Sequence, residues 1–194
     1  MDIYFKKEIK YRFAGRELIF DVGNTLFSTY DIDRGTDMLI RTIDFDNPQK
    51  VLDIGCGYGP LGIMLASKYP TSEVIMIDRD LLAVKYTKSN IQKNQIDNAT
   101  AFGSIGIEQV EDQQFDLIVS NIPAKIGDEA ITKEFILKPY QLLVDGGEMW
   151  VVVVTALNRL IPKIGRKYEL NVKEVKKRKG YTVYRIRKPM TVKL

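Results

Sequence analysis

The sequence predicts an α/β fold, a doubly wound and mostly parallel sheet with an antiparallel edge strand, preceded by an N-terminal β-hairpin. Three observations carry this. Strand-like and helix-like stretches alternate through the middle of the chain, the pattern that builds a parallel sheet covered by helices on both faces. The stretch EMWVVVVT, residues 148–155, is too continuously apolar for a strand with one face in water, so both of its faces must be covered. Residues 50–62, KVLDIGCGYGPLG, pass from an apolar strand through three glycines into a helix start, the junction from which such sheets are built.

Taken in order, Ile9, Tyr11 and Phe13 alternate with charged neighbours, and Leu18 and Phe20 do so on the return. This period of two predicts a hairpin over residues 8–22 about Ala14-Gly15. Asp33 is placed to cap a helix from about Arg34 to Phe45, with Leu39, Ile40 and Ile43 as its core face, and Asn47-Pro48 ends it. The central strand follows (Val51, Leu52, Ile54), then a helix from Pro60 that turns Leu61, Leu65 and Ala66 inward and stops at Tyr69-Pro70. A second strand covers residues 73–78, and a helix from Leu81 to about Asn94 puts Val84, Thr87 and Ile91 on one face. A short strand over residues 100–102 and a fourth over 114–120 come next. A helix from Asp128 to Leu143 is expected to end at the glycines of Asp145-Gly146-Gly147. Leu157, Leu160, Ile161 and Ile164 have helical spacing, but Pro162 must kink that helix or begin a second short one. Residues 170–176 and 181–187 form a closing hairpin across Arg178-Lys179-Gly180. The 194 residues, 45% hydrophobic, suit one domain, with residues 1–47 as a hairpin and helix extension and 48–194 as the sheet core.

Composition narrows the chemistry. The chain has no histidine and one cysteine, Cys56, which excludes an intrachain disulfide, a cysteine zinc site, histidine metal clusters and the Ser-His-Asp and Cys-His nucleophile systems. No metal is expected. No apolar run is long enough to span a bilayer and the N-terminus alternates, so a soluble, cytoplasmic protein is expected. The net charge of +4 is unevenly spread. Residues 156–194 hold 13 Lys and Arg against Glu169 and Glu174, which leaves about −7 on residues 1–155. A basic tail on an acidic body fits an anionic macromolecular partner, most simply RNA, although a solvated surface is the plainer reading of any charge run.

The glycine turn, Gly55-Cys56-Gly57-Tyr58-Gly59, is the candidate cofactor site. Glycine lets a backbone approach a ligand closely and take left-handed angles at little cost, and the helix start leaves N–H groups free. Asp53, at the strand end in front of it, would repel a pyrophosphate. It would attract a cation such as the ammonium or sulfonium of S-adenosyl-L-methionine, which is the cofactor expected ahead of a dinucleotide, an alternative that a lone Gly-rich turn leaves open. Asp78, at the end of the second strand, stands where an acid meets ribose hydroxyls in a Rossmann-like sheet, with Arg79 beside it and Asp80 as the cap of the next helix. Ser104 and Asn121 fall at strand ends on the same rim. Cys56 reads as a small residue in a crowded turn.

These residues carry a resemblance. The order from Asp53 to Gly59 resembles the first motif of class I S-adenosylmethionine-dependent methyltransferases. Asn121-Ile122-Pro123-Ala124 resembles the Asn-Pro-Pro-aromatic motif of members that methylate exocyclic or amide nitrogens. Thr25-Leu26-Phe27-Ser28, then Asp33-Arg34-Gly35-Thr36, and the closing Lys179-Gly180-Tyr181 are similar to segments of the small-subunit ribosomal RNA guanine-N2 methyltransferase catalytic domain and its single-domain archaeal relatives. The resemblance covers nearly the whole chain. It implies a strand order 3-2-1-4-5-7-6, an RNA substrate and transfer to guanine N2, with Asn121 and the Ile122 carbonyl orienting the amine and Pro123 stiffening the turn. Asn121 also belongs to the cofactor rim.

The sequence departs from the motif in three places. Ile122 replaces its first proline, and Ala124 replaces an aromatic that stacks on the target base, so Phe27 or Tyr181 must supply a ring. Ser104-Ile105 stands where an acid commonly meets the adenine amine. Two other readings fit the same residues: transfer to adenine N6 or a protein glutamine, and an RNA-binding module without turnover.

Overall fold

The computed structural model describes residues 2–24, 26 and 31–191. β1 (Phe5–Phe13) and β2 (Arg16–Gly23) pair antiparallel about Ala14 and Gly15, both at positive φ, as the alternating pattern predicts. Ile9, Phe13, Leu18, Phe20 and Val22 form the buried face.

The core of the molecule is a seven-stranded sheet of β3 (Lys50–Ile54), β4 (Glu73–Asp78), β5 (Ala99–Gly103), β6 (Phe115–Asn121), β7 (Leu143–Val154), β8 (Asn171–Arg178) and β9 (Tyr181–Arg187). Their spatial order is β5-β4-β3-β6-β7-β9-β8, which is 3-2-1-4-5-7-6 when counted from the central strand. β9 runs antiparallel to both its neighbours, β7 and β8, and the other pairs are parallel. Alternation along the strands divides the interior. Val51, Val74, Met76 and Val119 face one layer, which holds the hairpin and helices α1 (Arg34–Ile40), α2 (Pro60–Lys68) and α3 (Leu81–Lys93). Leu52, Ile54, Ile75 and Ile118 face the other, with Ile136 and Ile161. No helix among the described residues is long and apolar enough to cross a membrane.

Two asparagines hold the hairpin on α3. Asn94 accepts from Ile19 N–H (2.8 Å) and donates to Ile19 C=O (2.6 Å), and Asn90 makes the same pair with Asp21 (2.8 and 3.0 Å). Four residues of helix and two of strand both advance about 6–7 Å, so side-chain amides at i and i+4 mimic a neighbouring strand. Asn90 also donates to the Tyr58 carbonyl (2.9 Å), which ties the hairpin to the glycine turn.

Three boundaries differ from those predicted. α1 ends at Ile40 rather than Phe45, and the chain beyond it is held instead by Lys68 Nζ on the Ile43 carbonyl (2.8 Å) and Tyr69 OH on the Phe45 carbonyl (2.9 Å). The helix expected over 128–143 is interrupted: α4 (Asp128–Ala130) runs through a π-helical stretch (Ile131–Leu137) into α5 (Lys138–Gln141). Gly146 and Gly147 do not stop that helix. They lie within β7, where the pairing with β6 jumps from Phe115↔Leu143 to Leu117↔Glu148. A Cβ on Gly147 would sit 2.9–3.2 Å from the carbonyls of Val144, Asp116 and Phe115, so only glycine fits the irregularity. Pro162 lies in the first turn of α6 (Leu160–Lys167), after a separate 3-10 turn (Thr155–Leu157), and so begins a second helix.

Candidate active site

One cavity of about 740 Å³ opens along the carboxyl ends of β5, β4, β3 and β6. Asp53, Gly55, Cys56, Gly57, Tyr58, Asp78, Arg79, Ser104, Asn121, Ile122 and Pro123 all line it. Gly59 does not. At φ 92° it forms the N-cap of α2, where a Cβ would meet Thr87 at 2.8 Å, so its role is to bring the turn into the helix.

Gly55 and Gly57 are left-handed (φ 73° and 59°), and space above Gly57 is open. Asp78 Oδ2 accepts from Gly57 N–H (2.8 Å) and Oδ1 from Asp80 N–H (2.9 Å), so the carboxylate is fixed at the cavity while each oxygen keeps a lone pair for a ligand hydroxyl. Asp80 caps α3 through Leu82 N–H (2.9 Å), the division of labour expected from the sequence. Asp53 is only 1% exposed and accepts from Gly62 N–H (2.9 Å). Burial, opposed by that bond and reinforced by the Asp78 charge, pushes its carboxyl up to about 7. Cys56 is buried beside Thr87, and burial raises its thiol well above the ordinary range, so it is a packing residue and not a nucleophile.

Asn121 is held by residues that share the cavity wall with it. Its Nδ2 donates to Asp33 Oδ2 (2.7 Å) and to Thr36 Oγ1 (3.0 Å), while Tyr181 OH donates to Asp33 Oδ1 (3.1 Å). Flipping the amide would set its oxygen against a carboxylate. The donor side is therefore fixed, and Oδ1 is left without a partner among the described residues. Asp33 also caps α1 by accepting from Thr36 N–H (3.0 Å). Gly35 is required here because a Cβ would come within 2.8 Å of both Asp33 Oδ2 and the Tyr181 ring. Ile122 explains its own departure from the motif. Its N–H donates to Val152 C=O (3.0 Å), a bond that proline would forfeit, and its side chain is buried in the core.

Of the two rings offered to replace the missing aromatic, Tyr181 lines the cavity. Phe27 lies outside the described residues, as does most of the segment over 25–28. Sequence reasoning missed Phe135, whose ring lies over Gly55 (3.6 Å from a Cβ built there), and Glu134 on the same wall. A helix of 3.6-residue period gave no signal for either. It also read Asp33 as a cap alone, although the Asp-x-Gly-Thr spacing had marked that segment.

The basic tail is largely the hairpin β8–β9. Lys173, Lys176, Lys177, Arg178 and Lys179 are exposed on the sheet edge. Its turn joins Arg178 to Tyr181, whose side chain is in the cavity wall, so the positive strip begins at the cavity mouth.

Comparison with known proteins agrees with this geometry. The family model described as "Methyltransferase small domain" matches residues 17–185. The chain is 30% identical over 189 residues to an uncharacterized Bacillus subtilis protein, YbxB, covering 94% of this chain and 92% of that one. It is 32% identical over 146 residues to the ribosomal RNA small subunit methyltransferase C of Haemophilus influenzae, covering 74% of this chain but 43% of the relative. Among solved structures, a T. thermophilus 16S rRNA N2 methyltransferase in complex with AdoMet and guanosine superposes with a TM-score of 0.82 at 25% identity, over 94% of this chain and 50% of that one. The chain thus spans half or less of the ribosomal RNA methyltransferases it matches.

Proposed function

Because the chain belongs to the methyltransferase small domain family, a class I fold that uses S-adenosyl-L-methionine, we propose that it methylates an exocyclic base nitrogen in RNA, most specifically guanine N2 of ribosomal RNA. The observation that carries this is the Asn121 amide in the cavity lining, clamped on its donor side so that its carbonyl oxygen is left without a partner among the described residues.

The residues suit the cofactor. The glycine turn gives close backbone approach, Asp78 offers acceptors to ribose hydroxyls, and Asp53, in its ionised form, supplies negative charge at the strand end before the turn. Bound there, the cofactor supplies a methyl group already activated on a positively charged sulfur. What remains is to orient a poor nucleophile. An amine conjugated to a purine has a delocalised lone pair. Accepting its N–H bonds at Asn121 Oδ1, and at the backbone carbonyl that follows, holds the nitrogen pyramidal with its lone pair directed along the cavity. Positioning supplies the rate, and no general base is needed. Phe135 and Tyr181 give the cavity the rings that Ala124 lacks.

Incubation with methyl-labelled cofactor and total RNA, followed by nucleoside identification, tests the proposal. Label in N2-methylguanosine is expected. Label in N6-methyladenosine or in protein would overturn the acceptor assignment, and no label anywhere would support a binding module without turnover.

The hairpin β8–β9 is the RNA docking face in this reading. The four cations Lys176, Lys177, Arg178 and Lys179 have no ion-pair partner among the described residues. Neutralising them together is expected to weaken RNA binding uniformly across sequences. The slope of log affinity against log salt should become shallower by about 0.7–0.9 per lost phosphate contact. An unchanged slope would place the docking face elsewhere.

A further inference from the structure

The rim of the cavity is a row of strand ends, and a ligand lying along it meets them in sequence. β3 contributes the glycine turn and Asp53, β4 contributes Asp78, and β5 contributes Gly103 and Ser104. Asp78 pairs with Gly103 across the parallel ladder, and Ser104 N–H donates to the Asp78 carbonyl (2.9 Å). Neighbouring strands lie about 4.8 Å apart. A nucleoside whose ribose meets Asp78, and whose sulfur-bearing arm runs back over Gly55, must therefore carry its base across the loop that follows β5. Once covered, the amine of that base needs an acceptor.

The loop residues that line the cavity, Ser104, Ile105 and Gly106, offer no free side-chain acceptor for this. Ser104 Oγ is committed, donating to the Gly106 carbonyl (3.0 Å) and accepting from Gln109 N–H (3.3 Å). Ile105 is apolar and 73% exposed at the rim, a surface for a ring and not for an amine. Gly106 is where a second element intrudes. A Cβ built on it would lie 2.9 Å from Glu134 Oε2, and its φ is +58°, so the glycine leaves room for a carboxylate pressed against the loop. Glu134 Oε2 is anchored by Lys138 Nζ (2.7 Å), and Oε1 has no partner among the described residues. The element that delivers it is the π-helical stretch, a geometry frequent at functional sites, which carries both Glu134 and Phe135 of the cavity wall.

We infer that Glu134 is the residue that recognises the adenine of the cofactor, with its carboxylate, held beside Gly106, accepting the exocyclic amine. Lys138 fixes the carboxylate, and Ile105 provides the apolar surface beside it. Specificity for the base is thus supplied from the helical segment after β6, at the loop that follows the strand next to Asp78. The inference rests on the cofactor and not on the acceptor base.

Calorimetry with S-adenosylhomocysteine and S-inosylhomocysteine, in which a carbonyl oxygen replaces the amine, tests it without turnover. The wild-type protein is expected to prefer the adenosyl form by tenfold or more, as befits a hydrogen bond to a charged acceptor. E134Q should bind S-adenosylhomocysteine about 10- to 100-fold more weakly and S-inosylhomocysteine as well or better, because its amide can donate to the new oxygen. E134A should lose the preference without that gain. Since the readout is a ratio of two ligands on one sample, partial misfolding of a variant does not imitate it. A wild-type preference retained in both variants would overturn the inference. A wild-type protein that binds neither ligand would overturn the cofactor assignment with it.

Discussion

Asn121→Ala is expected to lower single-turnover methyl transfer by about 10²–10³-fold, the usual loss when one preorganised polar group at a reacting centre is removed. Cofactor affinity should stay close to wild type, because the cofactor side of the cavity is built by Gly55, Gly57 and Asp78 from two other strands. The same geometry predicts a graded series behind Asn121. Thr36→Ser keeps a hydroxyl 3.0 Å from Nδ2 and should retain activity, whereas Thr36→Val leaves one amide proton without an acceptor and should lower kcat with little change in KM. Rapid-quench measurement of transfer, paired with calorimetry for S-adenosylhomocysteine, separates the two effects. Transfer that survives Asn121→Ala would remove this residue from the mechanism. A parallel loss of cofactor binding would make it a structural residue of the rim.

What could be read in advance follows from how local each feature is. The glycine turn, Asp78 with Asp80, and Asn121 at a strand end are each written in one short stretch, because a strand-turn-helix junction needs particular residues within a few positions of one another. The clamp on Asn121 is not written that way. Asp33 lies 88 residues from Asn121 and 148 from Tyr181, and a residue already explained as a helix cap gives no sign that its second oxygen is spoken for. Glu134 with Lys138 reads as an ordinary i,i+4 pair on a helix surface, and only the π-helical stretch turns it toward a cavity. The same limit explains Gly146 and Gly147. A glycine pair after a helical pattern is a stop signal by default, and its use inside β7 depends on carbonyls of β6 and of Val144 in β7 itself. Ile122 departs from the motif because its N–H extends the ladder to β7, a partner 30 residues away that no local pattern announces.

Asp53 connects the glycine turn to pH in a way that can be measured twice. Its carboxyl ionises near 3.8 in an unfolded chain and about 7 in the folded one, so the folded state holds a proton that the unfolded state has lost across that window. The stability this represents is fully present below about pH 4 and is lost as pH rises through about 7, after which it no longer changes. About three pH units correspond to on the order of 4 kcal/mol. Asp53→Asn keeps an acceptor for Gly62 N–H and removes the ionisation. The stability difference between variant and wild type, from urea unfolding of the ligand-free protein, should therefore grow in favour of the variant between pH 4 and pH 8 and then level. Binding runs the opposite way. Ionised Asp53 is the form that attracts a cation, so the affinity for S-adenosyl-L-methionine should rise from pH 5.5 to 7.5 in the wild type and stay flat in Asp53→Asn. Calorimetry in buffers of different ionisation enthalpy should show proton release on binding to the wild type alone. If the two proteins share one pH profile in both measurements, the charge beneath the turn belongs to another group, and Asp53 serves only to hold the first turn of α2 through Gly62.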